Sequence, residues 1–189
     1  MGTPAFGCQR MLVICSTGSG KTTLARKLAM RLGLEHIELD ALYWEADWTP
    51  APQDLFRERV ERASCVQQWV SDGNYRVVRD ILWPRAQAVI WLDYPLATVL
   101  WRLAKRSWKY WRTQQVLWSG NREDLQRDLR LWSDRSIFNW LIKSHARHQR
   151  EYPALLLRPE YQHLLVVRFK TPASTQAWLD ELGELQFEI

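Results

Sequence analysis

No apolar run in this 189-residue chain approaches the roughly 18 residues that a membrane-spanning helix requires, so no span is expected. The opening MGTPAFGCQR has neither a basic n-region nor an apolar h-region, which argues against a signal peptide. Phe6 stands where a myristoylation signal carries Ser or Thr. Cysteine is scarce: Cys8, Cys15 and Cys65 are odd in number and lack metal-ligand spacing. They give no basis for a disulfide framework or a zinc site, and reduced thiols in a cytosol are the expectation. Internal repeats and low-complexity tracts are missing, as are helix-turn-helix, zinc-finger and ribonucleoprotein motifs. What remains is one cytoplasmic domain of ordinary composition, 47% hydrophobic and 25% charged, long enough for a full core. Two features depart from the ordinary. Twelve tryptophans are present, and the net charge of +5 suits an anionic ligand, either a nucleotide or a nucleic acid.

The most informative stretch is CSTGSGKTT, residues 15–23. It follows the apolar run Met11, Leu12, Val13, Ile14 and opens an amphipathic run through Leu24, Ala25, Leu28, Ala29 and Leu32. Strand, glycine-containing loop and helix is the context of a phosphate-binding P-loop. Backbone N–H groups of such a loop converge on a concavity, and the helix adds partial positive charge at its N-terminus. Cys15, Ser16, Thr17, Gly18, Ser19, Gly20, Lys21, Thr22 and Thr23 are therefore the candidate nucleotide cradle. Lys21 would reach the β- and γ-phosphates and the Thr22 hydroxyl would ligate Mg²⁺. In the pattern G-x-x-x-x-G-K-[ST] the first glycine is replaced here by Cys15, which raises the question of whether a residue with a Cβ can take that turn.

Periodicity then predicts a strand over about residues 10–14 and a helix over about 20–32, stopped by Gly33. The segment LEHIELD reads as a second strand ending at Asp40, which is placed to face the P-loop or to cap the following turn. A loop with Trp44 and Trp48 leads to a helix over about 53–64. A third strand, about 68–71, runs into DGNYR, and Asp72 after it fits a Mg²⁺-holding role directly or through water. QAVIWLDYP is the clearest buried strand, and Pro95 starts a helix with Leu96, Val99, Leu100 and Leu103 on its apolar side. Between residues 102 and 150 the chain is strongly basic. Residues 110–124 break the helical pattern and read as a mobile lid, followed by helices over about 123–132 and 136–156. Trp108, Trp111, Trp118, Trp132 and Trp140 are expected to pack this helical region, and His145 and His148 to lie on its surface. A strand over about 163–169 and a helix over about 173–182 close the chain. Five strands alternating with helices imply a parallel sheet covered on both faces.

These residues resemble the adenylate-kinase-like group of P-loop kinases, and within it the small bacterial proteins labelled DNA topology modulation protein. The P-loop, the Leu39-Asp40 strand end, WVSDGNY and VIWLDYP carry the resemblance, which spans about residues 10–182. It implies a three-layer α/β/α P-loop NTPase fold, a five-stranded parallel sheet with a helical lid insertion. The core would be about residues 10–106 and 160–183 and the lid about 107–150. It also implies ATP or another nucleoside triphosphate as donor, with Mg²⁺ at Thr22 and Asp72. Asp72, Gly73 and Arg76 match a D-G-x-x-R segment whose arginine meets an acceptor phosphate, with Asn74 and Tyr75 as the middle pair. Arg102 and Arg106 occupy places of donor-contacting arginines, and the loop of residues 171–173, with Pro172, is where the adenine would rest.

The expected activity is phosphotransfer to a small-molecule acceptor by a monomer. Lys21, Arg102 and Arg106 would neutralise the transferring group. Asp40 would be general base for a hydroxyl acceptor, or hold metal-bound water if the acceptor is a phosphate. Two alternatives stand beside it: a nucleic-acid-associated P-loop protein using the basic 102–150 face, and a nucleotide-binding protein without turnover.

Overall fold

The computed structural model describes residues 7–122 and 136–184. Its strands are β1 (Arg10–Ile14), β2 (Glu35–Glu38), β3 (Trp69–Asp72), β4 (Ala88–Leu92) and β5 (Leu165–Phe169). All pair in parallel in the order β2-β3-β1-β4-β5. The helices are α1 (Lys21–Leu32), α2 (Leu39–Tyr43), α3 (Gln53–Ala63), α4 (Arg79–Leu82), α5 (Leu96–Thr113), α6 (Ile137–Leu156) and α7 (Pro172–Glu184). This is the three-layer α/β/α arrangement of the P-loop fold.

The central strands are apolar on both sides because each face of the sheet is covered. Met11 and Val13 of β1, with Ala88, Ile90 and Leu92 of β4, pack toward α1, α5, α6 and α7. Leu12 and Ile14, with Val89 and Trp91, point the other way into a layer holding Phe56 and Val60 of α3 and Ile81 and Leu82 of α4. Each large aliphatic side chain fully buried in these layers contributes about 1.5–3 kcal/mol relative to exposure. Gly33, left-handed at φ 66°, ends α1 as its spacing predicts. Ser136 caps α6, its hydroxyl accepting from the Asn139 N–H.

Register decides where the polar strand ends lie. Val13 of β1 pairs with Asp72 of β3, and Glu38 of β2 pairs with the same Asp72. The end of β3, the end of β2 and the loop after β1 therefore share one edge of the sheet, the carboxyl edge where ligands of open α/β folds bind.

Two expectations need correction. The second strand stops at Glu38, because buried Leu39 already begins α2, so Asp40 stands in the first turn of a helix. Trp108, Trp111 and Trp140 are exposed rather than packed, since the buried stripe of α5 consists of Val99, Leu103 and Ser107. Trp118 is half-buried, and Trp132 lies outside the described residues, as does the helix expected over 123–132. Residues 116–122 of the expected mobile lid are docked against the loop of residues 44–50. Among the described residues no helix is long and apolar enough to cross a membrane.

Gly73 makes the turn off β3 at φ 141°, and a Cβ there would sit 2.8 Å from both Cβ and Cδ1 of Leu39. Gly73→Ala is expected to destabilise the fold by about 1–3 kcal/mol through backbone strain and overpacking, measured as a lower urea midpoint.

Candidate active site

Residues 15–20 leave β1 and curl into α1. Cys15 is absent from the positive-φ positions, so the missing first glycine introduces no left-handed strain. Its buried thiol donates to the Leu92 carbonyl, and burial pushes the thiol pKa up, which keeps it protonated and inert. Asn74 fastens the same residue from the other side. Its Oδ1 accepts the Cys15 N–H at 3.3 Å and its Nδ2 donates to the Cys15 carbonyl. Gly18 and Gly20 are left-handed at φ 79° and 98°, and α5 lies close against both. A Cβ on Gly18 would meet Leu103 Cβ at 2.8 Å; one on Gly20 would meet the Arg102 guanidinium at 2.7 Å. Arg102 thus lies directly on the loop. Lys21 Nζ donates to the Ser16 carbonyl at 3.2 Å, folded over the loop it would serve. Ser16 and Ser19 are buried, Thr17 is half-buried and Thr23 is exposed on α1.

Thr22 and Asp72, 50 residues apart in sequence, meet: the Thr22 hydroxyl donates to Asp72 Oδ2 at 2.5 Å. The second carboxylate oxygen, Oδ1, lies 2.7 Å from His36 Nε2 on β2. Glu38, two residues further on the same strand, has its pKa raised by burial and by the Asp72 charge. Hydroxyl and carboxylate oxygens are the donors a hard cation such as Mg²⁺ takes, so Thr22 and Asp72 fit that ion. No group of three or more His, Cys, Asp or Glu able to hold a metal occurs among the described residues. An ion at this pair would therefore rely on phosphate and water oxygens for its remaining ligands, as Mg²⁺ commonly does.

Asp40 is held by Tyr75, whose hydroxyl donates to Oδ1 at 2.5 Å. Burial raises the Asp40 pKa, opposed by the Tyr75 hydrogen bond and by the charges of Lys21 and Arg106. Burial, with the Asp40 charge, likewise pushes the Tyr75 phenol up, so that it remains a donor. The structure thus brings Lys21, Asp40 and Arg106 within electrostatic reach of one another. Arg106 also faces the Tyr110 ring at 5.7 Å. Arg76 is not brought in. It is exposed and bound to Glu151 of α6, an acidic partner its place in the sequence does not reveal. Pro172 is the first residue of α7, where its missing N–H does no harm; the Thr171 hydroxyl accepts the Ser174 N–H in front of it.

The expected surface positions of His145 and His148 are also corrected. His145 is buried, its Nε2 2.9 Å from the Tyr94 carbonyl. His148 stacks on Tyr152 at 4.8 Å and reaches toward the P-loop, with Nδ1 3.4 Å from Ser16 Oγ. Both lie on the face that α6 turns toward the sheet, a register a basic, apolar-poor stretch does not disclose. His36, Asn74, Tyr75 and His148 are the contacts sequence reasoning missed. His36 alternates with Ile37 on the same strand face as Glu38, and Asn74 and Tyr75 sit inside DGNYR, so those three carried a signal.

The sheet order and the loop leading into α1 define the class at the level of fold, a three-layer α/β/α P-loop fold, and solved kinase structures share it. A gluconokinase from Sinorhizobium meliloti 1021 is similar over 94% of this chain and 95% of its own, at 16% identity and a TM-score of 0.50. A shikimate kinase from Bacteroides thetaiotaomicron matches over 97% of this chain and 100% of its own, at 15% identity and a TM-score of 0.51. A shikimate kinase from Acinetobacter baumannii in complex with shikimate matches over 97% and 96%, at 14% identity and a TM-score of 0.50. No protein-family model and no curated protein sequence matches the chain.

Burial, with the Arg147 and Lys21 charges, pushes His148 down from 6.5 to about 4. A depressed folded-state pKa contributes stability above the unfolded value and loses it as pH falls toward the folded one. Wild-type melting temperature is therefore expected to fall relative to that of His148→Gln between about pH 6.5 and pH 4. Parallel melting curves for the two proteins across that window would contradict the buried neutral imidazole.

Proposed function

We propose that this chain transfers the γ-phosphoryl group of ATP, or of another nucleoside triphosphate, to a hydroxyl of a small acceptor. The observation that carries the reading is Asp40: a carboxylate held by the Tyr75 hydroxyl at 2.5 Å, its pKa raised by burial, within the field of Lys21. A base of raised pKa is better matched to taking a hydroxyl proton at neutral pH. The acceptor oxygen forms a bond to the γ-phosphorus, the bond from that phosphorus to the bridging oxygen breaks, the proton passes to Asp40, and the diphosphate leaves. A phosphate acceptor is the weaker alternative. Arg76, the residue whose spacing suggested an acceptor-phosphate contact, is neutralised by Glu151 at the surface.

The remaining roles follow from position. The amides of residues 16–20, with Lys21, would bind the β- and γ-phosphates. Arg102 against Gly20 and Arg106 near Asp40 would balance charge on the donor and on the transferring group. Thr22 and Asp72 would hold Mg²⁺, which supplies charge neutralisation when bound. The gluconokinase and shikimate kinase names among the similar folds agree with a small acceptor.

A second reading has its own observation. On the outer face of α5, Trp101, Trp108 and Trp111 are 63%, 56% and 42% exposed. Lys105 and Lys109 lie between them in sequence and Arg112 follows, all exposed, and α5 contains no acidic residue. Rings interleaved with cations are what a single-stranded nucleic acid engages through base stacking and phosphate contacts.

Labelled ATP with Mg²⁺ against a panel of nucleosides, nucleotides, sugars and small alcohols tests the main reading. Transfer to a hydroxyl compound is expected, with Lys21→Ala and Asp40→Asn each lowering kcat/KM at least about 100-fold in folded protein. The acid limb of the wild-type kcat/KM profile should lie above the ordinary carboxylate range, because activity needs Asp40 ionised. Undiminished transfer by folded Lys21→Ala would sink the mechanism. For the second reading, oligonucleotide binding is expected to weaken steeply between low and moderate salt and to drop in Trp108→Ala. Salt-insensitive or undetectable binding removes it.

A further inference from the structure

Two short loops meet beside α2, the helix that carries Asp40, and each is built around a single 3-10 turn. Residues 44–50 fold back through a bridge between Trp44 and Pro50, and residues 116–122 through a bridge between Val116 and Arg122. Each contains left-handed residues other than glycine: Asp47 and Trp48 at φ 57° and 53° in one, Ser119 at φ 54° in the other. A bulky side chain such as Trp adopts this conformation at a cost, so something outside the loop must hold it there.

That something is the other loop. Asn121, only 6% exposed, spends both ends of its amide across the junction. Its Oδ1 accepts the Trp48 backbone N–H at 2.9 Å, and its Nδ2 donates to the Glu45 carbonyl at 2.8 Å. Ser119 Oγ donates to the Trp44 carbonyl at 2.7 Å, and Trp48 Nε1 donates to the Arg122 carbonyl at 3.0 Å. From this junction a line of rings runs to the proposed base. Trp118 contacts Trp48 at 6.2 Å, Trp48 contacts Trp44 at 5.6 Å, Trp44 contacts Tyr43 at 4.9 Å, and Tyr43 contacts Tyr75 at 4.5 Å. Tyr75 ends the line at Asp40.

We propose that residues 44–50 and 116–122 form a single wall of the acceptor site, with Asn121 as the positioning residue that joins them. The inference rests on the phosphotransfer reading above for its effect on the acceptor, but not for the junction itself. Without Asn121 the hydrogen bonds to the Trp48 N–H and the Glu45 carbonyl are lost, the left-handed turn at 47–48 relaxes, and the Trp44 and Trp48 rings shift at the outer end of the line, while the Tyr75 hydroxyl still holds Asp40. None of the junction's hydrogen bonds involves a residue of the P-loop. The wall therefore governs acceptor affinity and leaves donor affinity alone.

The test uses full-length wild type, Asn121→Ala and the milder Ser119→Ala. Amide hydrogen exchange of residues 44–50 is read first, because it needs no substrate. Two lost hydrogen bonds are expected to speed exchange at Trp48 by about tenfold or more in Asn121→Ala, and one lost bond by less in Ser119→Ala. Calorimetry with a non-hydrolysable ATP analogue and Mg²⁺ is expected to give a dissociation constant within about twofold of wild type for both. With a hydroxyl acceptor drawn from the panel, Asn121→Ala should raise acceptor KM about tenfold and change kcat less. Unchanged exchange in both variants overturns the junction. Faster exchange with unaltered acceptor KM overturns the wall. Failure of wild type to phosphorylate any hydroxyl compound counts against the phosphotransfer reading instead, and the exchange result still decides whether the loops are joined.

Discussion

The parallel pairing of β1 with β3 is the constraint on which the site depends. It sets Val13 opposite Asp72, and from that single register three contacts follow. Asp72 comes under the first turn of α1, where Thr22 meets it. Gly73 turns closely enough to place Asn74 on both backbone groups of Cys15. Tyr75 then lands against α2 and holds Asp40. A slip of one residue would reverse which face each β3 side chain occupies, and all three contacts would be lost together.

The P-loop departs from its consensus at one position, and the surroundings show why the departure is tolerated. Cys15 keeps ordinary backbone angles, fills a place in the core layer with α1 and α5, and donates an S–H hydrogen bond to a carbonyl of β4. The positions that resist a side chain are Gly18, where one would strike Leu103 of α5, and Gly20, whose φ of 98° L side chains rarely adopt. Both remain glycine. The shape of this loop thus depends on the packing of α5 more than on the first letter of the motif.

The surroundings of Asp40 follow a different principle. In the proposed reaction the donor meets backbone amides and cations, whereas the acceptor meets a carboxylate and a phenol backed by rings, with three arginines of the neighbouring elements paired to acidic residues. Arg57 is paired with Asp80, Arg59 with Glu45 and Arg76 with Glu151. This division of charge underlies the preference for a hydroxyl over a phosphate acceptor in the proposed reaction.

Sequence alone determined the elements whose cause is local. The P-loop was legible because its glycines, Lys21 and Thr22 are contiguous; the helix stop at Gly33 because left-handed backbone favours glycine; β4 because five consecutive residues are apolar. The order of strands in chain and their parallel sense followed from alternation of strand and helix. What only the tertiary structure decided are pairings between distant residues, since a side chain's partner across a sheet or between two loops leaves no mark on its neighbours in sequence. Arg76 looked available until α6 supplied Glu151, His148 looked like a surface residue until α6 turned it toward Ser16, and nothing beside Asn121 in sequence pointed to its contact with Trp48. Helix register and loop docking are settled by which faces can be buried together, and that is a property of the folded chain rather than of any segment of it.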